Sequence, residues 1–194
     1  MRGTHNERPD LDLFARVKQW EWEKWHHRFG LAGEGQADVI EQLLQRSPGV
    51  VLDVGCGPNG RHVVNLAKLS GFVIAVDKYI EALRRARTDG PMPPNVAFLA
   101  GNASGLPLVD GSVDHVLAFG LLTYFVEQYG AALSEFQRVT KRQGLVIVTG
   151  SAVHPKLDLL EAASAANLHL IEEKEGFCTV ASGQKRYLCI FKTV

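Results

Sequence analysis

Cysteine is scarce in this sequence, and what there is forms no pattern. Cys56, Cys178 and Cys189 are the only three in 194 residues, odd in number and without a CxxC pair. That excludes a disulfide-stapled scaffold and the paired-thiolate spacing of a structural zinc site. The three read as packing residues of a reduced, cytoplasmic protein. An excess of one charge is missing too, since 21 basic side chains balance 21 acidic ones. Nucleic-acid binders usually carry a basic excess or stripe, so no nucleic-acid partner is expected. No apolar run approaches the length needed to span a bilayer, and the opening MRGTHNERPD lacks the hydrophobic centre of a signal peptide. Internal repeats, low-complexity tracts, a nucleophile elbow and metal-type spacing of His, Cys, Asp and Glu are also absent. A metal is therefore not expected. What remains, 46% hydrophobic and 22% charged, suits one sizeable core without room for a second full domain.

The chain is organised around Val50 to Gly60, VVLDVGCGPNG, followed by a helix-like run. Four apolar residues and Asp53 lead into glycines Gly55, Gly57 and Gly60, spaced G-x-G-x-x-G. This spacing predicts a strand, a tight turn and a helix N-terminus in succession. Glycine lets backbone approach a ligand because no Cβ stands in the way. The glycines alone fit a nicotinamide dinucleotide equally well. Two acids sharpen the reading. Asp53 stands where a carboxylate would repel a pyrophosphate but attract a cation. Asp77 ends the next apolar run, at about the spacing where an acid accepts hydrogen bonds from a ribose diol. A ligand with a ribose, a cationic end and no phosphate satisfies both, and S-adenosylmethionine has those parts.

Three segments carry a resemblance: VLDVGCGPNGRHVVNLA, VIAVDKY and FLAGNASGLPLVDGSVDHVLAFGLLTYF. Together they resemble the class I, Rossmann-type S-adenosylmethionine-dependent methyltransferases. Within these, the likeness is to the broad group that includes ubiquinone-biosynthesis C-methyltransferases and many small-molecule enzymes. It spans roughly Val50 to Gly150 and implies S-adenosylmethionine as cofactor. It also implies that Asp53, Gly55 and Gly57 hold the amino-acid end of the cofactor, and Asp77 the ribose. Gly101-Asn102-Ala103 stands where the family has Gly-Asp-Ala, so Asn102 would meet the adenine amino group and Ala103 N–H a ring nitrogen. Phe119 and Gly120 would line the methionine side. Cys56, Gly60 and Lys78 complete the candidate cofactor set as members of the same strand-end segments. Two departures stand out. Thr123-Tyr124-Phe125 replaces the His-containing triplet of many relatives, and Lys141-Arg142-Gln143-Gly144 replaces Lys-Pro-Gly-Gly.

Alternating periodicities along the chain predict a doubly wound α/β sheet with helices on both faces and right-handed crossovers. Strands are expected at Val50–Val54, Phe72–Val76, Val96–Leu99, Val113–Phe119, Gly144–Thr149, Leu168–Thr179 and Lys185–Lys192. The resemblance makes this a mostly parallel, seven-stranded sheet whose last strand is antiparallel. Helices are expected at about Gly60–Ser70, Tyr79–Thr88, Val126–Thr140 and Pro155–Ala166. Before the sheet domain (50–194), residues 1–49 read as an N-terminal helical extension. Its first helix, Leu11–Phe29, carries Trp20, Trp22 and Trp25 and serves as anchor or lid, and Gln36–Arg46 forms a second.

Methyl transfer is an in-line displacement in which the protein holds the nucleophile about 3 to 3.5 Å from the methyl carbon and excludes water. A base is needed only where the nucleophile carries a proton at neutral pH. Tyr124 is expected to orient the acceptor and His154 to assist proton removal, with Thr123 and Ser151 nearby. An Asn-Pro-Pro-Tyr motif is missing where Phe119-Gly120-Leu121-Leu122 stands, which argues against amino methylation of a base or glutamine. The expected function is methylation of a small-molecule acceptor by a monomer or homodimer. Alternatives on the same fold are a tRNA or protein methyltransferase, a nicotinamide-dinucleotide enzyme, or a non-catalytic S-adenosylmethionine-binding protein.

Overall fold

The computed structural model describes Leu44 and residues 48–58, 60–88, 90–121, 129–151, 156–179 and 185–194. The expected helical extension therefore lies, apart from Leu44, Pro48 and Gly49, outside the described residues. The described chain runs β1 (Val50–Val54), α1 (Gly60–Leu69), β2 (Phe72–Asp77), α2 (Ile80–Thr88), β3 (Val96–Ala100) and β4 (Val113–Phe119). It continues with α3 (Tyr129–Val139), β5 (Thr140–Ser151), α4 (Lys156–Ala165), β6 (Leu168–Thr179) and β7 (Lys185–Thr193). One seven-stranded sheet results, in the order β3-β2-β1-β4-β5-β7-β6. Neighbours from β3 to β5 are parallel, while β7 runs antiparallel to both β5 and β6. Strand order reverses between β1 and β4, so the crevice of an open parallel sheet falls beyond their carboxyl ends.

Residue parity along each strand decides which core it feeds. In β1, Leu52 and Val54 face the side covered by α3 and α4, where Leu133, Phe136, Leu159 and Ala163 pack. Val51 faces the other side, against Val63 and Leu66 of α1 and Leu83 of α2. Val146 and Val148 against Ile147 repeat the division in β5. A strand buried on both faces has no polar side, and this explains the nearly continuous apolar run of β1. Asn167, two residues past the end of α4, is left-handed (φ 57), as the residue following a helix C-cap often is, and asparagine is tolerated there.

Several expected boundaries differ from the observed ones by a residue or two, and the start of β5 differs most. β5 begins at Thr140, four residues before the apolar run at Gly144, and Thr140 belongs to the strand instead of the preceding helix. The helix is left abruptly: Thr140 Oγ1 donates to Phe136 O at 2.5 Å, and Gln143 turns left-handed at φ 68. Lys141 Nζ then reaches Asp114 Oδ1 at 2.8 Å, while Asp114 Oδ2 accepts Val50 N–H at 2.7 Å. Polar residues carry this stretch, so hydrophobicity gave no sign that it pairs.

Candidate functional site

Beyond β1 the backbone turns back on itself through two left-handed glycines, Gly55 (φ 74) and Gly57 (φ 60), conformations costly for residues with a Cβ. The turn is bonded to the next strand. Gly55 and Cys56 both donate their N–H to Val76 O, at 2.8 and 3.1 Å, and Gly57 N–H donates to Asp77 Oδ2 at 3.0 Å. These three donors are committed within the fold, so an anion lying over them would lack the N–H groups that make such turns bind phosphate. Asp53, 2% exposed, adds a carboxylate beneath the same turn. The donor and acceptor set suits a cation. Among the described residues a Cβ built at Gly57 meets nothing within 4 Å, which leaves space above the turn. At Gly55 a Cβ would come within 2.8 Å of Leu121 Cδ1, so this glycine closes against the segment after β4.

Asp77 joins three strand ends. Its Oδ1 accepts Tyr79 N–H at 2.9 Å, its Oδ2 accepts Gly57 N–H, and its main-chain carbonyl accepts Gly101 N–H at 3.1 Å. Each carboxylate oxygen keeps a further lone pair for a ligand. Burial pushes its carboxyl above the usual range, only partly offset by the N–H groups of Tyr79, Gly57 and Lys78 and by the Lys78 charge. The neighbouring Cys56 is 7% exposed, and burial, then Asp53 and Asp77, push its thiol far up. Its sulfur contacts Gly57 O at 3.5 Å. A thiol held protonated is a packing group and a poor nucleophile.

The other expected residues fall around this centre. Gly60 opens α1. Lys78 is exposed, its Nζ 4.8 Å from the centroid of the Tyr79 ring. Asn102 and Ala103 sit in a turn closed by Gly105 N–H on Asn102 O at 3.0 Å. Asn102 Oδ1 accepts Ser104 N–H at 3.3 Å, so this side chain shapes its own turn, while Ala103 is buried. Phe119 is half-buried, and Gly120 is left-handed (φ 70) with its N–H donated to Thr149 Oγ1 at 2.9 Å. Thr149, fully buried, escaped the sequence reading; a hydroxyl ending the apolar run of β5 was the available signal. Tyr187 escaped it as well. It pairs across the sheet with Gly150, and a Cβ at Gly150 would overlap the Tyr187 hydroxyl. Burial, then the neighbouring Tyr129, push that hydroxyl above the usual tyrosine range. Tyr124, His154 and Thr123 lie outside the described residues, as does the side chain of Ser151. Among the described residues no group of three His, Cys, Asp or Glu could hold a metal ion, and no helix is long and apolar enough to cross a membrane.

A family model described as "Methyltransferase domain" matches residues 52–148, from within β1 to within β5. The chain belongs to the class I S-adenosylmethionine-dependent methyltransferases. It is 43% identical over 122 residues to a demethylmenaquinone methyltransferase of Beutenbergia cavernae, covering 60% of this chain and 47% of that protein. To a malonyl-[acyl-carrier protein] O-methyltransferase of Yersinia pestis it is 37% identical over 109 residues, 56% of this chain and 39% of the relative. The chain thus spans less than half the length of these two relatives. In structure it is similar to a TehB-like S-adenosylmethionine-dependent methyltransferase from Corynebacterium glutamicum, at TM-score 0.74 and 20% identity. That alignment covers 94% of this chain and 100% of the other, and it shows the shared fold. The family's cofactor is S-adenosylmethionine. The turn suits it: donors turned inward, two carboxylates and an open Gly57 fit a cationic nucleoside.

Proposed function

We propose that this chain transfers a methyl group from S-adenosylmethionine to a small organic acceptor. The observation that carries the reading is the turn at Gly55–Gly57, whose N–H groups are bonded inward beside buried Asp53 and Asp77. Bound there, the cofactor would supply a methyl carbon made electrophilic by its sulfonium, for in-line transfer to the acceptor. Asp53 and the backbone at Gly55 and Gly57 hold the cationic amino-acid end, and Asp77 accepts from the ribose hydroxyls. Asn102 and Ala103 contact the adenine, and Phe119 and Gly120 line the sulfur side. Cys56, Gly60 and Lys78 border the same cofactor site. Tyr124 orients the acceptor and His154 takes a proton from acceptors that carry one. The two relatives act, by their names, on a demethylmenaquinone and a malonyl-acyl-carrier protein, which supports an organic acceptor. Calorimetric titration tests the cofactor: S-adenosylhomocysteine is expected to bind, and affinity for NAD instead would overturn the reading. A panel of organic acceptors with labelled methyl donor tests the reaction. Label appearing only in tRNA or protein would move the activity to a macromolecular target.

A further inference from the structure

The turn that carries Asn102 and Ala103 is gripped from α3, by residues with no place in the strand-end crevice. At one end Gly101 N–H is held by Asp77 O, and Gly105 N–H closes the turn on Asn102 O. The next amide, Leu106 N–H, donates to Glu135 Oε2 at 2.7 Å. Arg138, one helical turn on, meets the same carboxylate with two parallel bonds, Nε to Oε1 and Nη2 to Oε2, both 2.8 Å. The guanidinium then reaches the descending loop. Nη2 donates to Leu106 O at 3.0 Å, and Nη1 to Leu108 O at 2.8 Å and Asp110 Oδ1 at 2.5 Å. The Arg138 carbonyl accepts Gly111 N–H at 2.9 Å. A planar fork with fixed donor directions suits this task, which a flexible ammonium could not perform. Surface ion pairs by themselves stabilise little. Here the charged groups satisfy main-chain atoms of a loop, and so they select its conformation.

We propose that Glu135 and Arg138 are positioning residues for adenine recognition, setting the turn at residues 102–105 so that the cofactor pocket prefers adenine over other purines. This rests on the reading of Asn102 and Ala103 as the adenine contacts. The test compares, on the full chain, calorimetric affinities for S-adenosylhomocysteine and for its deaminated analogue S-inosylhomocysteine, in which a carbonyl replaces the amino group. A merely structural role for Glu135 would lower stability without moving that ratio. Asn102→Ala is expected to cut the adenine preference by roughly tenfold, the worth of about one hydrogen bond. Glu135→Ala is expected to cut it by about fivefold, because the turn loses its second anchor. Glu135→Gln still offers an oxygen to Leu106 N–H and should stay within about twofold of the parent. An unchanged preference in Glu135→Ala, with the preference lost in Asn102→Ala, overturns the proposal and leaves the Asn102 contact standing. An unchanged preference in both variants overturns the Asn102 contact, and this proposal with it. If Glu135→Ala does not fold, Arg138→Lys decides. It keeps the charge but not the fork, so a loss of preference supports positioning and parental preference overturns it.

Discussion

Asp77 and Asp114 are two aspartates at opposite strand ends of one sheet, one at a carboxyl end and one near an amino end, and the difference between them separates an open carboxylate from a compensated one. Asp114, near the amino end of β4, accepts Val50 N–H through one oxygen and the Lys141 ammonium through the other. Burial pushes its carboxyl up, but the bonds from Lys141 and Val50, with the charges of Lys141 and His115, outweigh that and hold it below the usual range. Asp77, at the carboxyl end of β2, likewise accepts one N–H on each oxygen, from Gly57 and Tyr79, but among the described residues no side-chain cation is hydrogen-bonded to it. Burial there wins, and its carboxyl stays above the usual range. One carboxylate is neutralised by the fold. The other keeps unmet demand for positive or hydrogen-bonding partners, which a bound nucleoside can supply.

The comparison breaks most visibly in binding. Asp77→Ala is expected to weaken S-adenosylhomocysteine by about 100-fold, the sum of two hydrogen bonds to a charged group. Asp114→Ala should leave that affinity within about threefold while lowering stability by about 2 kcal/mol, read from urea unfolding, because Val50 N–H loses its acceptor. Equal binding losses in the two variants would erase the distinction. Gly150→Ala drives a methyl into the Tyr187 hydroxyl and should cost about 1–3 kcal/mol through overpacking, measured the same way. Gly57→Ala meets no atom of the described residues within 4 Å, so its stability cost should be only about 1 kcal/mol, from the left-handed backbone. Its loss of cofactor affinity should exceed that cost if a ligand fills the space above the turn.

The smallest effects lie in the pH dependence, and their signs oppose. A depressed folded-state carboxyl stabilises above its unfolded pKa, and that contribution disappears as pH falls through the folded value. For Asp114 the loss therefore lies below the ordinary carboxylate range, and the gap between parent and Asp114→Asn should close there. A raised carboxyl behaves the other way: stability is greater below the unfolded pKa and is lost as pH rises through the folded one. Asp77 therefore takes up a proton above the ordinary range as pH falls. S-adenosylhomocysteine affinity should begin to decline at that higher pH in the parent, and this part of the profile should be absent in Asp77→Asn.

Strand and helix periods, turn glycines and the placement of Asp53 and Asp77 at strand ends were legible from local pattern, because period and backbone freedom belong to neighbouring residues. Thus the expected order of seven strands and four helices agrees with the described fold, and family membership followed from the same segments. The early start of β5 was not legible, since it rests on the pairing of Thr140 with Val113, a register shift before Leu145 and a left-handed Gln143. Nor was the inward bonding of the Gly55–Gly57 amides, the anchoring of Gly120 by Thr149, or the grip of Glu135 on Leu106. Those partners stand 20 residues apart for Gly57 and Asp77, 29 for Leu106 and Glu135, and 64 for Val50 and Asp114. The chain by itself determined which groups could bond and where each strand would end. Which donor each acceptor took, and hence which carboxylate gained a cation and which did not among the described residues, was decided only when the crossovers brought distant strand ends together.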